Sequence, residues 1–237
     1  TVRFSRDDHV HPECVDAAVK SGDDWEGLAT LDVNSGALGR ELDAIRFLSE
    51  GVMGAAPILM TIYSPLTIAS MLCSTSDNRD RVVEYIRSCP EQLHSALSTI
   101  RDVVQAYAVA CLDAGASGMF MATTMANLDL LTRAEHKEFG FHYDLPVLEA
   151  IRGKSQLTFL HVCRKNVMFD IVTQYPVDVL HWNNHAIEGP TLKQARQQIN
   201  KGLSGGVAVE TLFRGTPDDV VSEVRSAISQ TNGTGFI

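Results

Sequence analysis

The chain has 237 residues, 45% apolar and 21% charged, with a formal net charge of −9. That length supports one large core, and such an acid excess argues against nonspecific binding to nucleic-acid phosphates. No run of about 18 apolar residues marks a membrane span. No basic stretch followed by an apolar one opens the chain as a signal peptide. The five cysteines, Cys14, Cys73, Cys89, Cys111 and Cys163, are scattered and odd in number, unlike a disulfide framework. The expected setting is the reducing cytoplasm, with reduced thiols and neither nucleic acid nor membrane as partner.

Residues 1–54 read as an irregular and then helical segment. A short strand is expected at 1–4 and a short helix or turn at 24–31. Leu38, Leu42, Ile45 and Leu48 have helical spacing over 38–50. From Ala55 the pattern turns rhythmic. An apolar run at 57–63, bounded by Gly and Pro, is a buried strand. Ser64 and Pro65 are an N-cap and a proline at the first helical position, so a helix follows to Cys73. A second helix covers 79–87. Pro90 opens a long third, with Leu93, Leu97, Ile100, Val104 and Tyr107 on one side and Gly115 as its stop. The next strand is 118–122. Thr132 and Glu135 form a capping box, starting a helix that ends near Arg152. Strand 156–163, a short helix at 167–174 and strand 176–181 come next. Thr191 starts a helix to about Asn200, and 206–210 reads as the fifth strand. Thr216-Pro217-Asp218-Asp219 places acidic residues at the start of a helix to about Ser229. Residues 235–237 resemble the first residues of a sixth strand.

Strands alternating with helices imply a parallel sheet. No G-x-G-x-x-G follows the first strand and no phosphate-binding Walker loop is present, which counts against a dinucleotide or nucleotide fold. The expected fold class is therefore α/β, a (β/α)8 TIM barrel occupying 55–237. Only six strands are legible, so two are missing and the last is short. The chain reads as a truncated barrel, or as one with two strands unread.

Several pieces together carry a resemblance. They are Tyr63-Ser64-Pro65-Leu66 after the first strand and Asp113-Ala114-Gly115-Ala116 leading to Thr123-Thr124. Tyr143-Asp144 lies within 139–148, and His161-Val162-Cys163 follows. The last pieces are Gly205-Gly206, Gly215-Thr216-Pro217 and Val220. In this order and spacing the chain resembles the uroporphyrinogen decarboxylase superfamily, which includes zinc-dependent methylcobamide methyltransferases. The resemblance runs from about Asp24 to Ile237. It implies that the visible strands are the third to the eighth of the barrel, and it implies a homodimer. True decarboxylases of the family carry an arginine-rich turn and a pyrrole-binding aspartate in the first strands, and 1–54 matches neither. In the methyltransferase branch a further cysteine ligand would lie past Ile237.

In a barrel the C-terminal strand ends face the active site. His161 and Cys163 are two apart, so one strand face carries both. Imidazole and thiolate suit Zn²⁺, and the resemblance strengthens that assignment. Both are candidate catalytic residues as well as metal ligands, with Glu210 as a candidate further ligand or general acid–base. Tyr63, Thr123 and Thr124, at strand ends, are candidate substrate contacts through their hydroxyls. His181, Asn183, Asn184 and His185 cluster after the fourth strand, where Asn184 and His185 are candidate substrate contacts and the cluster a second layer around a metal. His9, His11 and Cys14 have metal-like spacing but read as a flexible arm. His94, His136 and His142 read as surface residues. Cys111 reads as buried.

Three functions compete. Zinc-thiolate methyl transfer would use a corrinoid or a small methylated molecule, and His161 with Cys163 supports it. Cofactor-free decarboxylation of uroporphyrinogen, a tetrapyrrole, fits the family but lacks its arginine and aspartate signatures here. A non-catalytic subunit that holds a corrinoid protein is the third.

Overall fold

A computed structural model describes residues 2–3, 13–75 and 80–237. The elements run in the order read from the sequence. Strands β1 (Val2–Arg3) and β2 (Glu13–Cys14) pair antiparallel, apart from the main sheet. Helix α1 (Gly36–Val52) follows, then strand β3 (Leu59–Tyr63) and helices α2 (Pro65–Leu72), α3 (Asp80–Ser88) and α4 (Pro90–Asp113). Strand β4 (Gly118–Thr123) leads to α5 (Arg133–His136), a π-helical turn (Lys137–Phe141) and α6 (His142–Ile151). Strand β5 (Leu157–Val162), α7 (Phe169–Val172), β6 (Val179–Trp182), α8 (Leu192–Gln198), β7 (Gly202–Ser204), α9 (Val209–Arg214) and α10 (Pro217–Gln230) complete it.

Strands β3 to β7 form one parallel sheet in sequence order. Its side chains alternate between a helix-covered and an open face. Ile62, Met119, Met121, Leu160, Val162, Leu180 and Leu203, all buried, face the helices. Helix α4 is the main support behind the sheet. Its residues Leu93, Leu97, Ile100, Val104, Ala108 and Cys111 are buried at steps of three and four, one stripe of an α-helix. Each large side chain of this kind contributes about 2 kcal/mol by leaving water.

The caps form as the sequence implies. The Ser64 side chain accepts the Thr67 N–H, and capping boxes stand at Thr132, Thr191 and Thr216. Gly115 takes φ +109, a left-handed turn out of α4. Beyond α10, Phe236 bridges in parallel to Leu203, so the expected sixth strand begins there as a single pairing. The sheet does not close into a barrel among the described residues. No disulfide joins the cysteines among them. No helix among them is long and apolar enough to cross a membrane.

Two expectations need correction. The fifth strand is Gly202–Ser204, not 206–210, and 209–214 is helix α9. The alternating Val207, Val209 pattern resembles a strand, but Gly205 and Gly206 take φ +145 and +107 and turn the chain out of the sheet first. His136 is fully buried rather than on the surface. It ends α5 directly before the π turn, with Gly140 against its ring: a Cβ there would lie 2.5 Å from His136 Nδ1. Tyr175 links it to Asp144. The Tyr175 hydroxyl donates to Asp144 Oδ2 at 2.7 Å and lies 3.3 Å from His136 Nε2. Burial raises the Asp144 carboxyl to about 7 and lowers His136 to about 4. His94 is half-buried against Tyr143, while His142 is exposed. His9 and His11 lie outside the described residues.

Candidate functional site

The site is a row across the open face. Backbone pairing sets Tyr63 beside Ala122, Ala122 beside His161, His161 beside His181, and His181 beside Ser204. Cys163 lies one step beyond His161 on the same face, and its N–H donates to the Thr123 carbonyl at 3.0 Å. Directly after it Arg164 takes φ +77 and Asn166 φ +50, so the chain leaves the strand sharply. That loop is tied to the loop after β4. Asn127 bridges Val167, and Asn166 Nδ2 donates to Asp129 Oδ1 at 2.9 Å. Left-handed non-glycine residues are costly and persist where neighbours hold them.

His161 is engaged through both ring nitrogens. Its Nε2 lies 2.9 Å from Cys163 Sγ and its Nδ1 2.5 Å from His181 Nδ1. Phe120, one layer lower, stacks on His161 with centroids 5.5 Å apart and rings 25° from parallel. It also reaches His181 at 6.3 Å. Burial, and then the neighbouring imidazole, lower His161 to about 4, and burial lowers His181. Neutral imidazole and cysteine thiolate are ligand types that zinc takes.

Two tetrahedral ligands with ordinary Zn–N and Zn–S bonds lie about 3.6 Å apart. The observed 2.9 Å is shorter than that, so an ion between them would need the sulfur moved outward. In donor type His161 and Cys163 match a chelating pair. Among the described residues no three His, Cys, Asp or Glu side chains converge on one point, so the pair leaves the other coordination positions open.

The family is decided by a match over residues 1–237 to the model of uroporphyrinogen decarboxylase (URO-D). The chain belongs to the uroporphyrinogen decarboxylase family. Within that family it is similar to two kinds of enzyme. It is 23% identical over 220 residues to the "Methylcobamide:CoM methyltransferase MtbA" of Methanosarcina acetivorans, covering 92% of this chain and 62% of that protein. It is 26% identical over 231 residues to the uroporphyrinogen decarboxylase of Hydrogenovibrio crunogenus, covering 94% and 63%. A methyltransferase structure from Methanosarcina mazei superposes with a TM-score of 0.79 at 22% identity, over 93% of this chain and 64% of that one. The chain thus spans less than two thirds of these relatives, and its open sheet has the fold of part of that structure.

The other sequence candidates separate on this frame. Tyr63 lies in the row and is 43% exposed; it also borders an apolar cavity beside Leu28 and Ile68. Thr123 pairs with Val162, so its side chain lies on the helix-covered face, 1% exposed, its hydroxyl without a hydrogen-bond partner among the described residues. Thr124 is buried, and its N–H donates to Thr67 Oγ1 at 3.0 Å, tying β4 to α2. Asn184 is buried and accepts the Gly206 N–H at 2.9 Å. His185 Nε2 donates to the Gly206 carbonyl at 3.2 Å. These two hold the turn after β7, where a Cβ on Gly205 would lie 2.6 Å from Asn184 Oδ1. Glu210, expected at a strand end, is instead an exposed residue in the first turn of α9, in a surface depression with Arg214 and Glu223. The structure does not bring it to His161 and Cys163. Phe120 and Ser204 were not singled out from the sequence; strand register alone reveals them. His181, at the end of the strand expected over 176–181, lies in β6, in register with His161.

Proposed function

We propose that this chain is the catalytic portion of a methyl-transfer enzyme of the uroporphyrinogen decarboxylase family, in which His161 and Cys163 hold a zinc ion. The observation that carries this reading is the 2.9 Å pairing of Cys163 Sγ with His161 Nε2 on the open face. A zinc ion held by His161 and Cys163 would supply a Lewis acid that keeps a thiol substrate as its thiolate at neutral pH. In the transfer, the substrate sulfur forms a bond to the methyl carbon while the carbon's bond to the donor breaks. The donor, a corrinoid or another methylated molecule, keeps the electron pair. His161 offers the Nε2 lone pair, and Phe120 restrains its ring. Tyr63 and Ser204 offer hydroxyls at the two ends of the row for polar groups of the substrate. The row holds no arginine, lysine or carboxylate, which suits a thiol and a methyl group better than a polycarboxylate.

Decarboxylation of uroporphyrinogen is the second reading, favoured by the 94% coverage of this chain by a decarboxylase relative. Metal analysis with activity assays separates the two. The expected result is stoichiometric zinc, lost in Cys163→Ser, and methyl transfer from methylcobalamin to a small thiol. Zinc-free protein that decarboxylates uroporphyrinogen would overturn it. Retention of a corrinoid protein without turnover would mean a binding subunit instead.

A further inference from the structure

We infer that His181 is a positioning residue: it fixes the tautomer and orientation of His161, so that the Nε2 lone pair faces Cys163. This inference rests on the metal-binding reading above for its consequence, but its geometry stands alone. The two rings meet Nδ1 to Nδ1. Two ring nitrogens this close have room for only one proton between them, so one donates and the other accepts. Two proton arrangements satisfy this contact. In one, His161 carries its proton on Nδ1 and donates to His181, and the Cys163 thiol donates to His161 Nε2. In the other, His181 donates, and His161 Nε2–H points at the sulfur. A thiol sulfur is a weak acceptor, whereas an imidazole lone pair is a strong one. The first arrangement therefore places a strong acceptor at both contacts. It also leaves Nε2 unprotonated, the state a metal ligand requires.

The surroundings hold His181 in place for this role. It is paired within the sheet on both sides, to His161 and to Ser204, so its backbone cannot turn away. Phe120 lies against both rings. Metal-binding histidines gain orientation and basicity from a partner on the second nitrogen, and losing that partner costs about 10–100-fold in metal affinity. Here the partner is another imidazole.

Two measurements test this, using the full chain with His181→Ala and His181→Asn, since the asparagine amide reaches about where Nδ1 stood. Long-range 1H–15N spectra of the metal-free protein read the tautomer directly. His161 should carry its proton on Nδ1 in the wild type, shift toward Nε2–H in His181→Ala, and keep the wild-type form in His181→Asn. Cobalt(II) titration reads the consequence. His181→Ala should bind about 10–100-fold more weakly while keeping the sulfur-to-cobalt charge-transfer band, and His181→Asn should stay near wild type. A His161 protonated on Nε2 in the wild type, or a tautomer indifferent to His181→Ala, overturns the inference. If the tautomer shifts as stated but the wild type binds no cobalt, the positioning stands and the zinc reading falls. If cobalt binds in a Cys163-dependent way while both measurements ignore His181, the zinc reading stands and the positioning falls.

Discussion

At the residue scale, neighbours in sequence part company in chemistry. Thr123 and Thr124 both sit at the end of β4, yet neither hydroxyl reaches the open face. Thr123→Val removes a buried hydroxyl that has no hydrogen-bond partner among the described residues. The change should leave stability unchanged or raise it by about 1 kcal/mol. Metal binding should not change. A large loss of activity with an intact fold would instead make Thr123 a substrate contact. Asp144 gives a pH signature. Its folded-state pKa is raised from 3.8 to about 7, so the folded state holds the proton more tightly. Its contribution to stability is complete below about pH 4 and is lost as pH rises through 7, on the order of 4 kcal/mol in all. His136, lowered to about 4, acts in the opposite sense, losing stability as pH falls from 6.5 toward 4. Asp144→Asn keeps the shape and removes the titration. The stability gained over wild type, from urea midpoints at several pH values, should grow between pH 4 and 7 and then level off. A gain independent of pH would show that Asp144 does not titrate in this range. The sequence could not announce this pair. It showed Tyr143-Asp144 as a motif and His136 as a surface residue, because burial of a helix end depends on packing far along the chain.

At the element scale, the π turn between α5 and α6 is a tight joint. Gly140 lies on the His136 ring, and its Cβ position falls 2.6 Å from Cε1 as well as 2.5 Å from Nδ1. His136 is fully buried and has no room to swing aside. Gly140→Ala should therefore destabilise by about 1–3 kcal/mol. Adding His136→Ala should recover part of that loss, as expected for two residues in contact. Simple additivity in thermal or urea unfolding would mean the two do not press on each other. Helices announced themselves through caps. Ser64, Thr132, Thr191 and Thr216 each bond a backbone N–H near where the sequence placed a helix start. Strand β7 was misplaced for the opposite reason. It carries one apolar side chain, Leu203, toward the helices, while Gly202 and Ser204 face the open side. The stronger apolar alternation falls just after it, in a segment that the positive φ angles of Gly205 and Gly206 turn into α9.

At the scale of the whole molecule, the strand–helix rhythm was legible because each parallel strand needs a covering helix. The chemical row was only half legible. Spacing along β5 gives His161 and Cys163, but Phe120, His181 and Ser204 enter from three other strands. Their place depends on register, which no single stretch of sequence contains. Register also gives the site an all-or-none character. A slip of β5 by one residue would turn Leu160 and Val162 outward and press an imidazole and a thiol into the dry layer under the helices. The two apolar side chains, each contributing about 2 kcal/mol where they now sit, vote against that slip. The His161–Cys163 pair therefore has a parity rather than a tunable position. Small distortions of the sheet leave it working, a single inserted residue between His161 and Cys163 abolishes it, and the packing that folds the protein also proofreads the site.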